Sequence, residues 1–158
     1  MTDDALHSRF AGPDQSPGFL LWRVTNAWQR AIRAALAPHG LTHVQFVLLA
    51  TIVSLHPAPV TQRELADAAA TDPMMTSQVV RALAARGLID RHSHPTDRRA
   101  VSLRATTEGL RAVNSAIQTV EDADAQYFSA LGAQHEGFRD LLLTLDTPSR
   151  NNGASHRE

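Results

Sequence analysis

The chain has no cysteine and no lysine, few aromatics and no long apolar run, and most of these shortages remove a class of function. Without Cys there is no disulfide, thiolate metal site, iron–sulfur ligation, cysteine nucleophile or thiol redox sensor. The aromatic fraction, 5%, is thin. No stretch approaches the roughly 18 continuous apolar residues of a membrane span. Residues 1–17 begin acidic and lack the apolar centre of a secretory signal, so a cytoplasmic protein with no membrane contact is expected. An enzyme is not expected either. Glu121, Asp122 and Asp124 are the nearest thing to paired carboxylates, and nothing nucleophilic or apolar is arranged beside them, so they read as a solvated helix face.

What remains is 158 residues with 43% hydrophobic and 20% charged side chains, enough for one folded domain or one domain with dimerisation arms. The formal charge of −1 hides an uneven distribution. Residues 81–104 carry six Arg (81, 86, 91, 98, 99 and 104) against Asp90 and Asp97, a local +4, whereas 113–158 carry three Arg against seven acids, a local −4. One surface is basic and another acidic. With every cation an Arg, planar bidentate contacts to phosphate or guanine are favoured.

Residues 1–17 lack periodicity and read as a flexible arm. From Gly18 to about Ala37, apolar residues recur every three or four positions, the mark of an amphipathic helix. Thr42 can cap a second helix that is apolar on most sides, and Thr61 with Glu64 forms a capping box for a short helix over 64–70. Asp72 and Pro73 open a further helix that ends at Gly87. Leu88–His92 and Ala100–Thr106 then read as a β-hairpin with its tip at 94–98. A long helix follows from Thr107, Gly132 interrupts it, and a short helix around Phe138–Leu145 precedes a polar tail over 147–158. The fold class is mainly α with a small β-hairpin wing: an N-terminal arm 1–17, a dimerisation helix 18–40, a winged helix-turn-helix domain 41–106, and C-terminal dimerisation helices 107–146.

Two short helices joined by a tight turn and followed by a hairpin make a winged helix-turn-helix, whose second helix enters the DNA major groove. At about 100° per residue with Thr76 at zero, Met75, Val79, Ala82 and Leu83 fall between roughly 240° and 340°, which predicts the core face. Ser77, Arg81, Met74 and Gln78 fall at roughly 100°, 140°, 160° and 200° on the other side. Arg81 suits guanine, Gln78 adenine, Ser77 either base, and Met74 a thymine methyl. Thr76, at the edge of the arc, fits a phosphate contact or a buried position. Arg98 and Arg99 stand at the hairpin tip, where guanidinium groups reach a narrow minor groove, and Asp97 can hold Arg99 extended.

In these segments the chain resembles the MarR family of bacterial transcriptional regulators. The resemblance rests on Gly40-Leu41-Thr42, Thr61-Gln62-Arg63-Glu64-Leu65-Ala66, the run Met74–Leu83, Arg86-Gly87-Leu88-Ile89, His94–Ala100 and Thr106–Gly109, and covers roughly residues 18–145. Ala105 departs from it, since the family usually places a larger aliphatic before that Thr, which loosens the packing of the wing. The resemblance implies a homodimer on a pseudo-palindromic operator, most often a repressor. It also implies a small aromatic effector bound where the dimer arm meets the winged domain, with Trp22, Arg30, His43 and Phe46 as neighbours. The peroxide-sensing thiol of some relatives is impossible here. From the residues themselves, the stripe Leu110, Val113, Ile117 and Val120 exceeds what one small domain covers, so a partner helix is expected. Two other readings stand beside the regulator. One is a metal-responsive sensor using His92 and His94 with His39 or His43; the other is a winged-helix module that binds protein through its hairpin. No cofactor or metal site is expected.

Overall fold

Side-chain caps fix where most of the helices begin. The computed structural model describes residues 7–93 and 101–154, with side chains through 146. Helix α1, Pro17–Leu36, follows Ser16, whose hydroxyl accepts from the Phe19 amide. The Thr42–Gln45 capping box opens α2, His43–Ser54, and the Thr61–Glu64 box opens α3, Gln62–Ala68. Helix α4, Pro73–Ala85, starts on the Asp72 carboxylate, which accepts from the Met74 and Met75 amides at 2.9 and 3.0 Å. Helix α5, Thr107–Phe128, starts on Thr106, whose hydroxyl accepts from the Gly109 amide and donates to the Gly87 carbonyl at 2.7 Å. Gly132 breaks the path with φ 51° and ψ −126°, after which α6 runs over His135–Ala154.

The hairpin is present as β2, Ile89–Ser93, and β3, Val101–Ala105. It has a third strand that the sequence does not announce. The two-residue β1, Val60–Thr61, pairs antiparallel with β3, placing Val60 opposite Leu103, and the sheet order is β1-β3-β2. Two further boundaries differ from the sequence reading. Helix α6 continues to Ala154, through the first eight residues of the expected tail, and a 3₁₀ turn at Pro13–Gln15 lies within the expected N-terminal arm. Asp14 of that turn pairs with Arg23 at 3.2 Å.

The core is continuous from α1 to the sheet. Leu48, Leu49 and Ile52 of α2 lie at its centre, with Ile32 and Leu36 from α1, Leu65 from α3, Val80 and Leu83 from α4, and Ile89 and Leu103 from the strands. Val113 and Val120 of α5 are also buried in it, so the stripe expected to await a partner helix is largely covered by α1 and α2 of the same chain. Only Leu110 of that stripe is exposed. More of the exposed apolar groups lie on α1 and α6, among them Phe19, Leu21 and Trp22 on α1 and Leu141, Leu143 and Leu145 on α6.

Polar contacts lock α5 onto α1 and onto the 3₁₀ turn Ala37–His39 that follows it. Trp28 Nε1 donates to Asp124 Oδ1 at 2.7 Å, and its ring meets the edge of His43 at 5.1 Å. His39 Nε2 lies 2.9 Å from Thr119 Oγ1. Gly109 allows a close backbone approach: a Cβ there would collide with the Leu88 carbonyl.

Candidate nucleic-acid interface

Helix α4 is the second helix of the helix-turn-helix, and α3 with the Ala69–Asp72 turn sets its orientation. Asp72 caps it, Leu83 and Val80 seat it in the core, and Gly87, at φ 69°, ends it in the left-handed conformation that a glycine adopts at least cost. At its far end Arg86 Nη1 donates to Gln45 Oε1 at 3.1 Å, bracing α4 against the start of α2. Arg86, counted in the basic stretch, therefore has a structural contact of its own.

The buried face of α4 is rotated from the face that hydropathy suggests. Thr76, Val80 and Leu83 are buried, whereas Met75 and Ala82, expected in the core, are exposed. Thr76 is the correction among the proposed DNA contacts. It is 0% exposed, its hydroxyl donates to the Asp72 carbonyl at 2.8 Å and lies 2.8 Å from the Thr71 hydroxyl, so it cannot touch a phosphate. A hydroxyl with both partners supplied is compatible with burial, which the hydropathy of threonine alone does not reveal.

The outward face carries Met74, 73% exposed, together with Met75, Gln78 and Arg81, and Ser77 stands half-buried at its edge. Arg81, Arg91 and Arg104 form no ion pair among the described residues. A face with an amide, an unpaired guanidinium and two thioethers offers hydrogen-bond donors and acceptors plus apolar contact, the repertoire that base edges in a major groove require. Met75 is the surface residue that the sequence reading missed. Strands β2 and β3 project beside α4 as the base of the wing, with Asp90 opposite Arg104 and His92 opposite Ser102. Asp97, Arg98 and Arg99, the expected tip, lie outside the described residues.

The four residues expected around an effector separate into two places. Trp22, 67% exposed, and Arg30 line an open groove of about 630 Å³ along α1, closed on one side by Tyr127 of α5. Tyr127 holds that side by donating to the Val24 carbonyl at 3.0 Å. Phe46 is only 7% exposed and belongs to the core, and His43 packs on Trp28 rather than on the groove. Those two are therefore not part of it. Burial lowers the pKa of His43 below its ordinary value; Asp124 opposes the shift and Arg33 adds to it.

Of the residues offered for a metal, His39 is held by Thr119 and Ser115, and His43 by Trp28; His94 lies outside the described residues. Among the described residues no group of three His, Asp or Glu is placed to hold a metal ion. No single described helix is long and apolar enough to cross a membrane.

Comparison with other proteins agrees with this architecture. Residues 41–101 match the MarR family model. The HTH-type transcriptional regulator YdcH of Bacillus subtilis is 47% identical over 141 residues, spanning 86% of this chain and 96% of the relative. Among solved structures, CouR from Rhodococcus jostii bound to p-coumaroyl-CoA superposes with a TM-score of 0.78 at 30% identity, covering 89% of this chain and 96% of that one. A point mutant of MarR from Escherichia coli complexed with operator DNA superposes with a TM-score of 0.73 at 26% identity, covering 80% and 90%. This chain belongs to the MarR family of DNA-binding transcriptional regulators.

Proposed function

We propose that the protein is a homodimeric repressor that reads a pseudo-palindromic operator with α4 and the wing of each protomer. Gln78, Arg81 and Ser77 contact base edges in the major groove, and Arg98 and Arg99, with Asp97 steadying the latter, enter the adjacent minor groove. The observation that carries this reading is the outward face of α4, where Met74, Gln78 and Arg81 stand exposed beside a β-hairpin. The E. coli relative bound to operator DNA supports it, because the two chains share this architecture. Homodimerisation is supported by the exposed apolar residues of α1 and α6, which a monomer would leave in water. Repression follows from occupancy: a bound dimer blocks the DNA it covers, and a regulator of genomic DNA works in the cytoplasm.

The α1 groove beside Trp22 and Arg30 is the place for an effector, an aromatic acid whose ring lies on Trp22 and whose carboxylate meets Arg30. That CouR is bound to p-coumaroyl-CoA supports the aromatic part of this ligand. Such an effector acts by preferring the dimer in which the two α4 helices no longer match successive grooves. Selection of operators from random DNA, followed by fluorescence anisotropy across a salt series, tests the core reading. The expected result is an inverted repeat bound by two chains with steep salt dependence. Enrichment of no sequence, or binding insensitive to salt, would contradict it.

A further inference from the structure

Sulfur in this chain is gathered on the face that meets DNA. There are three methionines and no cysteine. Met1 lies outside the described residues; the other two, Met74 and Met75, are neighbours in the first turn of α4, on its outward side. Met74 is 73% exposed and Met75 40%, and neither side chain belongs to the buried core. Their backbone amides are satisfied by the Asp72 carboxylate, so the start of the helix depends on neither side chain. Gln78 follows Met74 by four residues and Met75 by three, which sets its amide one turn further along the same side. A thioether sulfur has a lone pair that accepts an oxygen atom, and with no thiol and no lysine amine in the chain few groups compete with it for an oxidant.

From this placement we infer that Met74 and Met75 are a reversible modification site: hypochlorous acid converts them to sulfoxides, and operator affinity falls while the fold persists. The inference rests on the proposed reading of the major groove by α4. In the net step each sulfur gains one oxygen and gives up two electrons. The O–Cl bond of hypochlorous acid breaks, the chlorine leaves as chloride and one proton is released. A flexible apolar side chain thereby becomes a polar hydrogen-bond acceptor. Residues at the start of the second helix face base edges, where a thioether rests on a thymine methyl. A sulfoxide oxygen in that place is either desolvated without a donor or draws the Gln78 amide away from its base, and both outcomes weaken binding. The capped amides and the core are untouched, so the change is felt on DNA rather than in folding. Because methionine sulfoxide is reducible by dedicated reductases, the modification acts as a switch.

The test treats the full chain with hypochlorous acid in amounts stoichiometric with its methionines, free and bound to the selected operator. Mass spectrometry of the tryptic peptide 64–81, which holds both residues, is expected to show one added oxygen per sulfur in the free protein and protection in the complex. Anisotropy is expected to show operator affinity reduced by about tenfold or more after oxidation, the effect of a desolvated polar group, with the thermal midpoint unchanged. Methionine sulfoxide reductases of both stereospecificities should restore it. Met74→Leu with Met75→Leu keeps an apolar surface without sulfur; whatever its own starting affinity, oxidant should alter that affinity by less than about twofold. If the untreated protein binds the operator and its sulfoxides form without loss of affinity, the switch is overturned while the reading of DNA by α4 stands. A loss of equal size in the leucine variant, or one that the reductases leave in place, would assign the effect to Trp22 or another side chain and overturn it as well. A parent that binds no operator before treatment would remove the proposed function and this inference together.

Discussion

The hydroxyls of Thr71 and Thr76 lie 2.8 Å apart, joining the turn of the helix-turn-helix to the first turn of α4. Because Thr76 spends its proton on the Asp72 carbonyl, Thr71 is the donor between the two. Thr76→Val preserves the shape and leaves the Thr71 hydroxyl without its acceptor. The expected cost is about 1–2 kcal/mol of folding stability, measured by urea denaturation. Operator binding by the folded variant should keep the parental salt slope. A slope reduced by one phosphate equivalent with no loss of stability would restore Thr76 to the DNA surface.

Side chains that read bases and side chains that hold phosphate or groove walls fail differently when removed. Gln78→Ala and Arg81→Ala are each expected to cost about 1–3 kcal/mol on the selected operator and to relax preference at particular base pairs. Arg99→Ala should instead weaken binding to many sequences alike, with the salt slope smaller by about one. Anisotropy on the operator and its single-base variants at several salt concentrations separates the two patterns. If all three substitutions lose affinity equally on every DNA, the division of roles is wrong.

Alanine in place of a helical glycine usually stabilises, by up to about 1 kcal/mol, so a glycine whose replacement destabilises reveals a close approach. Gly109→Ala drives a methyl into the Leu88 carbonyl, which is backbone and cannot swing aside. It is expected to cost about 3 kcal/mol and to loosen the junction of wing and α5. Gly137→Ala on α6, with nothing within 4 Å of the added carbon, should be neutral or slightly stabilising. Thermal unfolding of the pair checks this, and equal behaviour of the two variants would show that α5 shifts to make room.

These contrasts explain how far the chain could be read unaided. Caps were legible because their chemistry is local: Thr42, Thr61 and Asp72 each stand within three residues of the amides they satisfy. The phase of α4 was not, because it depends on which neighbours receive the helix, and a satisfied threonine took the inward place expected of Met75. Strand β1 has two residues, too few for alternation, and exists through Leu103 and Ser102 some forty residues away. Phe46, assigned to an effector by resemblance, is core, because the side of α2 that receives α1 and α5 is fixed by tertiary packing rather than by local pattern.

His43 makes stability depend on pH. Burial disfavours its imidazolium, so the unfolded chain takes up the proton first as pH falls below about 6.5. An unfolded state that binds more protons gains on the folded one, and stability therefore declines from that pH down to the depressed pKa of the folded protein, then levels off. His43→Gln should remove this contribution, leaving a shallower decline between about pH 7 and pH 5. Denaturation midpoints measured across that range decide it; parallel curves for parent and variant would mean that His43 protonates as freely in the folded protein as in the unfolded chain.

The apolar residues that α1 and α6 leave in water supply the last prediction. Leu21 and Leu145 are 54% and 67% exposed and belong neither to the core nor to the lining of the α1 groove, so a carboxylate at either position leaves one protomer able to fold. If these faces join two protomers, Leu21→Glu with Leu145→Glu buries charges without partners and separates them. Sedimentation should then give the one-chain mass of 17.2 kDa in place of twice that value. Operator affinity should fall by about a hundredfold or more, because each winged domain loses the effective concentration that its neighbour provides. Circular dichroism should show the helical content retained. A variant that still sediments as a pair would place the dimer contact on another face, and a parent protein that is monomeric at micromolar concentration would remove the twofold symmetry on which operator reading depends.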